Sequence, residues 1–228
     1  MLAIVGGTSL LYSDLSEFHR REILSPFGSV EVMEGPAVLL QRHQRGLPPH
    51  RINHRANVAA LAIMGVQKVV AISSVGSLRR GIKPGSMLIP DDYIALGDIP
   101  TIHDHAIVHS RPGISVALSE ALGRIVPDAI RGGVYIQTRG PRIETVAEVR
   151  TFSKLADVVG MTLASEGTLA SELGIEFTAL CMVDNYANGI GEGILTYEHI
   201  LEMSFRNRER TDAIVRRIIR ELGDDRGG

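Results

Sequence analysis

Leu2-Ala-Ile-Val5-Gly6-Gly7-Thr8-Ser9 decides the reading of the chain: an apolar run long enough for one buried strand, cut by two glycines and two hydroxyl residues. Glycine lets backbone N–H groups come close to an anion and the hydroxyls add donors, so the turn suits phosphate as well as it suits an ordinary tight bend. The same grammar continues outward. Residues 68–72 form an apolar run that closes in Ser73-Ser74-Val75-Gly76, and 177–183 form another that closes in Asp184-Asn185-Tyr186. Further strands are predicted at 30–33, 37–40, 87–89, 134–138 and 158–161, interleaved with helical periodicity at 55–64, 115–125, 145–155, 165–173 and 197–222. Strands alternating with helices predict an α/β fold. No internal repeat and no Ser/Gly linker divides the sequence, so the expectation is one domain over residues 1–228 with a frayed tail at 223–228.

Composition narrows the function. A chain of 228 residues, 44% hydrophobic, can bury a substantial core. A formal net charge of −2 supplies no basic field for nucleic acid, and the Arg-rich last helix reads as a solvated face. No apolar run approaches the ~18 residues of a membrane helix. Cys181 is the only cysteine, which excludes a disulfide scaffold and a CxxC site and, with no secretory signal, fits the cytoplasm. Eight histidines without HExxH or a cysteine partner weigh against a zinc centre, even with His103, His105 and His109 in one loop. The expected partners are small molecules, with no nucleic acid, membrane or metal.

The chemistry-bearing candidates stand at strand ends, where open α/β sheets bind ligands. Thr8 and Leu11 occupy places where a dinucleotide fingerprint needs glycine, and no GxxxxGK[ST] is present, so neither dinucleotide nor P-loop binding is indicated. Arg42 and His43 follow the strand at 37–40 and suit an oxyanion, Arg42 by its fork and His43 by a ring N–H, the plain alternative being a solvated turn. Ser73 and Ser74 close the central strand and could donate to a phosphate. Glu144 precedes a helix and reads either as an N-terminal helix charge or as an acceptor for a ligand's ring N–H. Met161 reads as core or as a ligand contact, and Asn185 can offer an acceptor and donors to a heterocycle edge.

Taken in order, IVGGTS, RHQRG with PPHRINHRANVAAL, SSVGSLRRGIKPGSMLIPDDYI, TRGPRIETVAEVR, DVVGMTLASEGTLASELG and CMVDNYA resemble the trimeric purine nucleoside phosphorylases, most closely the branch containing the 5′-methylthioadenosine phosphorylases. The likeness runs from Val5 to about Leu201. It implies one α/β domain with a mixed, distorted sheet flanked by helices, and a homotrimer with active sites at subunit boundaries, pairing of trimers into hexamers being left open. It implies phosphorolysis of a purine nucleoside to free base and pentose 1-phosphate, with inorganic phosphate as co-substrate and no cofactor. Carried over by position, Thr8, Arg42, His43, Ser73, Ser74 and Thr162 would hold phosphate, and Met161 would pack on the ribose. The loop 103–112 would reach a neighbouring pocket.

Two positions bear on the base. Where relatives acting on 6-aminopurines carry Thr-Asp-Tyr-Asp, this chain has Asp184-Asn185-Tyr186-Ala187, and Asn185 matches the asparagine of the 6-oxopurine enzymes. Glu144 matches a glutamate that accepts from N1–H in those enzymes. Adenine has no hydrogen on N1, so a carboxylate there would face an unpaired lone pair at a cost of ~1–3 kcal/mol. The expectation is therefore selectivity for 6-oxopurine nucleosides, with Asn185 and Glu144 as the groups acting on the base. Tyr197 falls near the ribose 5′ position, where both a methylthio group and a hydroxyl fit, so 5′-methylthioinosine and inosine or guanosine are all candidate substrates. The rival readings are a methylthioadenosine phosphorylase and a non-catalytic nucleoside sensor.

Overall fold

The computed structural model describes residues 1–7, 17–192, 202–203 and 205–223. Its strands form one mixed sheet around β5 (Lys68–Ser77), the order on one side being β2 (His19–Ser25), β3 (Gly28–Glu34), β4 (Val38–Gln41), β1 (Leu2–Gly6), then β5. β11 (Glu176–Tyr186) runs parallel to β5 along its whole length and passes the sheet on to β6 (Met87–Ile89) and β8 (Ile130–Arg131). β10 (Val158–Gly160) joins the far end of β5 antiparallel, followed by β9 (Val134–Gln137) and β7 (Asp92–Ala95).

The central strands are buried on both faces, which explains their unbroken apolar runs. In β1, Ala3 and Val5 face one apolar cluster and Leu2 and Ile4 the other, and Val69 and Ala71 against Val70 and Ile72 repeat the division in β5. The first cluster is covered by α1 (His54–Ile63) and α4 (Leu163–Glu172), the second by α2 (Val116–Ile125) and α5 (Arg208–Leu222). α3 (Val146–Phe152) covers a third, smaller cluster with Leu78, Ile136 and Val159. The helix ends follow local chemistry: Asn53 caps α1 through Ala56 N–H, and Thr145 and Glu148 form a reciprocal capping box on α3.

The α/β expectation and the mixed, distorted sheet both match. Three strands escape sequence reasoning. β2 reads HRREILS with Ile23 its one buried residue, because it is paired to β3 alone, and β7 and β8 carry no fully buried side chain. The two central strands also extend past their apolar runs, β5 to Ser77 and β11 to Tyr186. Of the helix predicted at 197–222, Arg208–Leu222 is described as α5, and much of its first part, including Tyr197, lies outside the described residues.

Candidate active site

The site originates in a gap in the sheet. β11 occupies one edge of β5 from Lys68 to Ser77, so β1 and β10 must share the other. β1 reaches Ile72, where it pairs through Gly6, and β10 begins at Gly76, where it pairs through Val159. Ser73, Ser74 and Val75 are left without a strand on that edge among the described residues. β1 runs parallel and β10 antiparallel to β5, so both point their carboxyl ends into this gap. Backbone polar groups there are open to a ligand, and the α4 N-terminus, which follows β10, adds the positive end of a helix dipole.

A cavity of about 1650 Å³ opens over the gap, room for a nucleoside and an anion together; Gly7, Arg42, His43, Ser73 and Ser74 line one part and Glu144, Met161, Thr162, Asn185 and Ala187 another. Arg42, His43, Ser73, Ser74, Glu144, Met161, Thr162 and Asn185, the site residues expected from the sequence that are described, thus all line one cavity. Thr8 and Tyr197 lie outside the described residues.

On the anion side, the structure changes what each predicted residue offers. Arg42 is buried, and its fork is taken by Glu166: Nε donates to Oε1 at 2.6 Å and Nη2 to Oε2 at 3.0 Å. Nη1 donates to the Ile72 carbonyl at 2.9 Å and Nη2 also to that of Val5 at 3.4 Å. Four of its five N–H groups are therefore engaged by these contacts, and the one left, on Nη1, lies beside Gly7, where an added Cβ would stand 3.2 Å from Nη1. Arg42 presents a single donor to an anion rather than a bidentate fork.

His43 changes in the same sense. Its Nδ1 is 2.8 Å from the Leu47 carbonyl, which can only accept, so that nitrogen carries the hydrogen. Burial holds the ring below its ordinary 6.5, with Arg42 adding to the effect against the Leu47 carbonyl. A neutral ring then turns an Nε2 lone pair, not an N–H, toward Gly7 and accepts from a protonated anion oxygen. The Ser74 hydroxyl donates to Asp184, leaving it an acceptor toward the cavity. Ser73 and Thr162 are buried, and neither hydroxyl has a partner among the described residues, so these are the free hydroxyl donors. Tyr135, whose phenol burial pushes up to about 12, accepts from Thr162 N–H at 3.2 Å and anchors the start of α4.

The other part of the cavity is built from two loops tied together. Asp184 is an extra residue in β11, because Val183 pairs with Val75 and Asn185 with Gly76. This bulge re-aims the strand end and brings Asn185 into the cavity over Gly76, where an added Cβ would meet Asn185 Nδ2 at 3.2 Å. Asp184 itself turns away, buried against Ser74 and Asn207, and burial raises its carboxyl above the usual range. Glu144 is buried; Thr138 donates to its Oε1 at 2.6 Å and Asn188 Nδ2 to its backbone carbonyl at 3.0 Å. Thr145, not Glu144, caps α3, so the helix-charge reading of Glu144 fails and its side chain faces the cavity instead. Gly140 has φ +66, and an added Cβ would collide with Met161 Sδ, so Met161 packs directly on this turn.

Sequence reasoning missed Glu166, the carboxylate that occupies Arg42, and Thr138, which holds Glu144. Glu166 leaves a faint signal, an acidic residue in the first turn of a helix whose other residues before Glu172 are small or apolar.

A family model described as the phosphorylase superfamily matches residues 2–220. The chain is 37% identical to a probable 6-oxopurine nucleoside phosphorylase of Archaeoglobus fulgidus, over 99% of this chain and 98% of that protein. It is 36% identical to a probable S-methyl-5′-thioinosine phosphorylase of Methanothermobacter thermautotrophicus, over 97% of this chain and 84% of the relative. Among solved structures, a methylthioadenosine phosphorylase from an antarctic soil metagenomic library superposes with a TM-score of 0.86 at 25% identity, covering 100% of this chain and 88% of that one.

Proposed function

The chain belongs to the phosphorylase superfamily, and on that footing we propose that it is a purine nucleoside phosphorylase that cleaves 6-oxopurine nucleosides, 5′-methylthioinosine and inosine or guanosine, to free base and the corresponding pentose 1-phosphate. The observation that carries the base assignment is the joint presence of Glu144 and Asn185 in one cavity beside the anion-binding gap, with the buried Ala187 where an acid would serve a 6-amino group. The names of the Archaeoglobus and Methanothermobacter relatives point the same way.

In this reading phosphate sits in the sheet gap, taking hydrogen bonds from Ser73, Thr162, the free Arg42 N–H and the open β5 backbone; Thr8 is assigned to it by the resemblance in sequence alone. A phosphate oxygen attacks the anomeric carbon as the bond to the purine N9 breaks. Positive charge builds on the sugar and negative charge on the departing base, so the bound anion stabilises the first and hydrogen bonds to the base the second. Asn185 Nδ2 donates one hydrogen to the Tyr186 carbonyl at 2.8 Å, which orients the amide. N7 takes up a proton by way of solvent, balanced by the one that hydrogen phosphate gives up on becoming the pentose 1-phosphate; the Asn185 oxygen then accepts from that N7–H and its second N–H donates to O6, while Glu144 accepts from N1–H. Met161 packs against the ribose, and the resemblance in sequence alone assigns Tyr197 to the 5′ group.

Phosphate is the co-substrate and no cofactor takes part in this scheme. The enzyme works as a homotrimer in the cytoplasm; Ile107, 92% exposed, and Val108, on the loop predicted to reach a neighbour, supply apolar surface for a subunit contact. The test is release of free base from inosine, guanosine, adenosine, methylthioinosine and methylthioadenosine, with and without phosphate. Turnover of the 6-oxopurine substrates alone, and only with phosphate, is expected; release of adenine would overturn the base assignment.

A further inference from the structure

We infer that Asn188 sets the distance between the two side chains that read the base, Glu144 and Asn185, and so positions Glu144 against N1; the inference rests on the base contacts proposed above. Those two side chains come from different loops and, in that reading, grip two different edges of one rigid ring. A purine cannot stretch to meet them, so the pair is useful only at a fixed separation, and a displacement of about 1 Å costs on the order of a hundredfold.

Asn185 has its own anchors. Its backbone is in register with Gly76 of β5, and its amide is held by the Tyr186 carbonyl at 2.8 Å. Glu144 stands on a loop with none of that support, since residues 139–144 make no backbone–backbone hydrogen bond among the described residues. Thr138 holds the carboxylate, but the main chain beneath it is held by Asn188, whose Nδ2 donates to the Glu144 carbonyl at 3.0 Å across 44 residues of sequence. Among the described residues this is the hydrogen bond that joins the two loops.

A turn places Asn188 for this contact. Residues 187–190 close through Ile190 N–H to the Ala187 carbonyl at 3.0 Å, and Gly189 takes the third position with φ +83. An added Cβ on Gly189 would stand 3.0 Å from Val146 Cγ1, so the turn packs on the first residue of α3 while Asn188 reaches the loop that precedes the same helix. Ala187 N–H donates to the Ser77 carbonyl at 2.8 Å, which fixes the turn to the end of β5. Glu144 is thereby referred, through Asn188, to the strand that also fixes Asn185. Asn188 does not line the cavity, so it is a positioning residue that acts through Glu144.

The test is steady-state kinetics and calorimetric binding on the intact protein and on Asn188→Ala and Asn188→Asp, the second keeping a turn-forming residue before Gly189 while removing the donor. Inosine carries N1–H, whereas purine riboside has a bare N1 and no O6 and so gives Glu144 nothing to accept. The inosine KM should rise about tenfold in both variants, with kcat within about threefold of the parent because Asn185 keeps its own anchors. The phosphate KM and the binding of purine riboside should not move. A general loosening of the site would instead carry purine riboside and phosphate along with inosine, and that result overturns the inference. So does an inosine KM within about twofold of the parent in either variant, or a parent that binds purine riboside as tightly as inosine. A protein that binds inosine but releases no base from any nucleoside ends the phosphorylase reading, while the ratio of inosine to purine riboside binding in parent and variants still decides the role of Asn188; binding of neither nucleoside overturns both.

Discussion

Replacing Glu166 by alanine strands a guanidinium. Side-chain exposure in the Arg42–Glu166 pair is 3% and 4%, and the contact is a two-pronged one at 2.6 and 3.0 Å. Removing one member of a buried pair leaves an uncompensated charge and costs about 3–5 kcal/mol. Against a total stability on the order of 5–15 kcal/mol that is a large share. For a chain of this size it corresponds to a melting-temperature drop of roughly 6–20 °C, at about 2–4 °C per kcal/mol. The freed fork then becomes the bidentate anion site that it is not in the parent. Thermal unfolding of Glu166→Ala should therefore respond to added phosphate more than the parent does, regaining up to about 2.7 kcal/mol at a hundredfold excess over the dissociation constant. The double variant Arg42→Met/Glu166→Leu removes both charges and should recover much of the lost stability while losing phosphorolysis, because the Nη1 donor goes with the arginine. Unfolding of Glu166→Ala within about 2 °C of the parent, or a double variant no more stable than the single one, would refute the claim that this pair holds the gap.

The base site predicts that Glu144→Ser with Asn185→Asp and Ala187→Asp lowers inosine kcat/KM by at least about a hundredfold, from ~1–3 kcal/mol per mismatched group; unchanged inosine kinetics would place the base elsewhere. Gly140→Ala forces a side chain into Met161 Sδ from a positive-φ position and should raise the nucleoside KM on the order of tenfold, read by steady-state kinetics, with a normal KM showing that the turn does not shape the site. His54, buried and held down to about 4 from 6.5, chiefly by burial, is neutral in the fold. The stability this depression reflects is present above pH 6.5 and is lost as the pH falls toward 4, ~3 kcal/mol at most. His54→Phe should accordingly flatten the acid limb of chemical-denaturation stability over that interval, and parallel limbs in the two proteins would exclude His54 as its source.

Legibility follows burial. Strands buried on both faces, β1, β5 and β11, announce themselves as apolar runs, and helices with capped starts such as α3 do so by Thr145 and Glu148. β2 is paired along one edge and keeps four leading residues exposed, so its sequence carries no burial pattern to read. The residues that line the cavity are legible as types at strand ends. What each can donate was not, because that depends on partners far along the chain: Glu166 lies 124 residues from Arg42, and Asp184 lies 110 from Ser74.

Those distant partners also bear on the proposed use of the gap by two reactants. Arg42, His43 and Ser74 are the residues that composition would credit with the anion, yet the first is nearly neutralised by Glu166 and the other two spend their hydrogens on Leu47 and Asp184. An unpaired arginine fork beside the phosphate would bind the dianion tightly in its ground state, which does nothing for the chemical step. A gap supplied by Ser73, Thr162, one Arg42 N–H and unpaired β5 backbone binds more weakly and leaves the phosphate charge available to the developing cation on the sugar. The neutral histidine and the pre-engaged serine, which a search for positive charge and free hydroxyls would rank as defects, therefore fit a site whose anion is a nucleophile rather than a passive ligand.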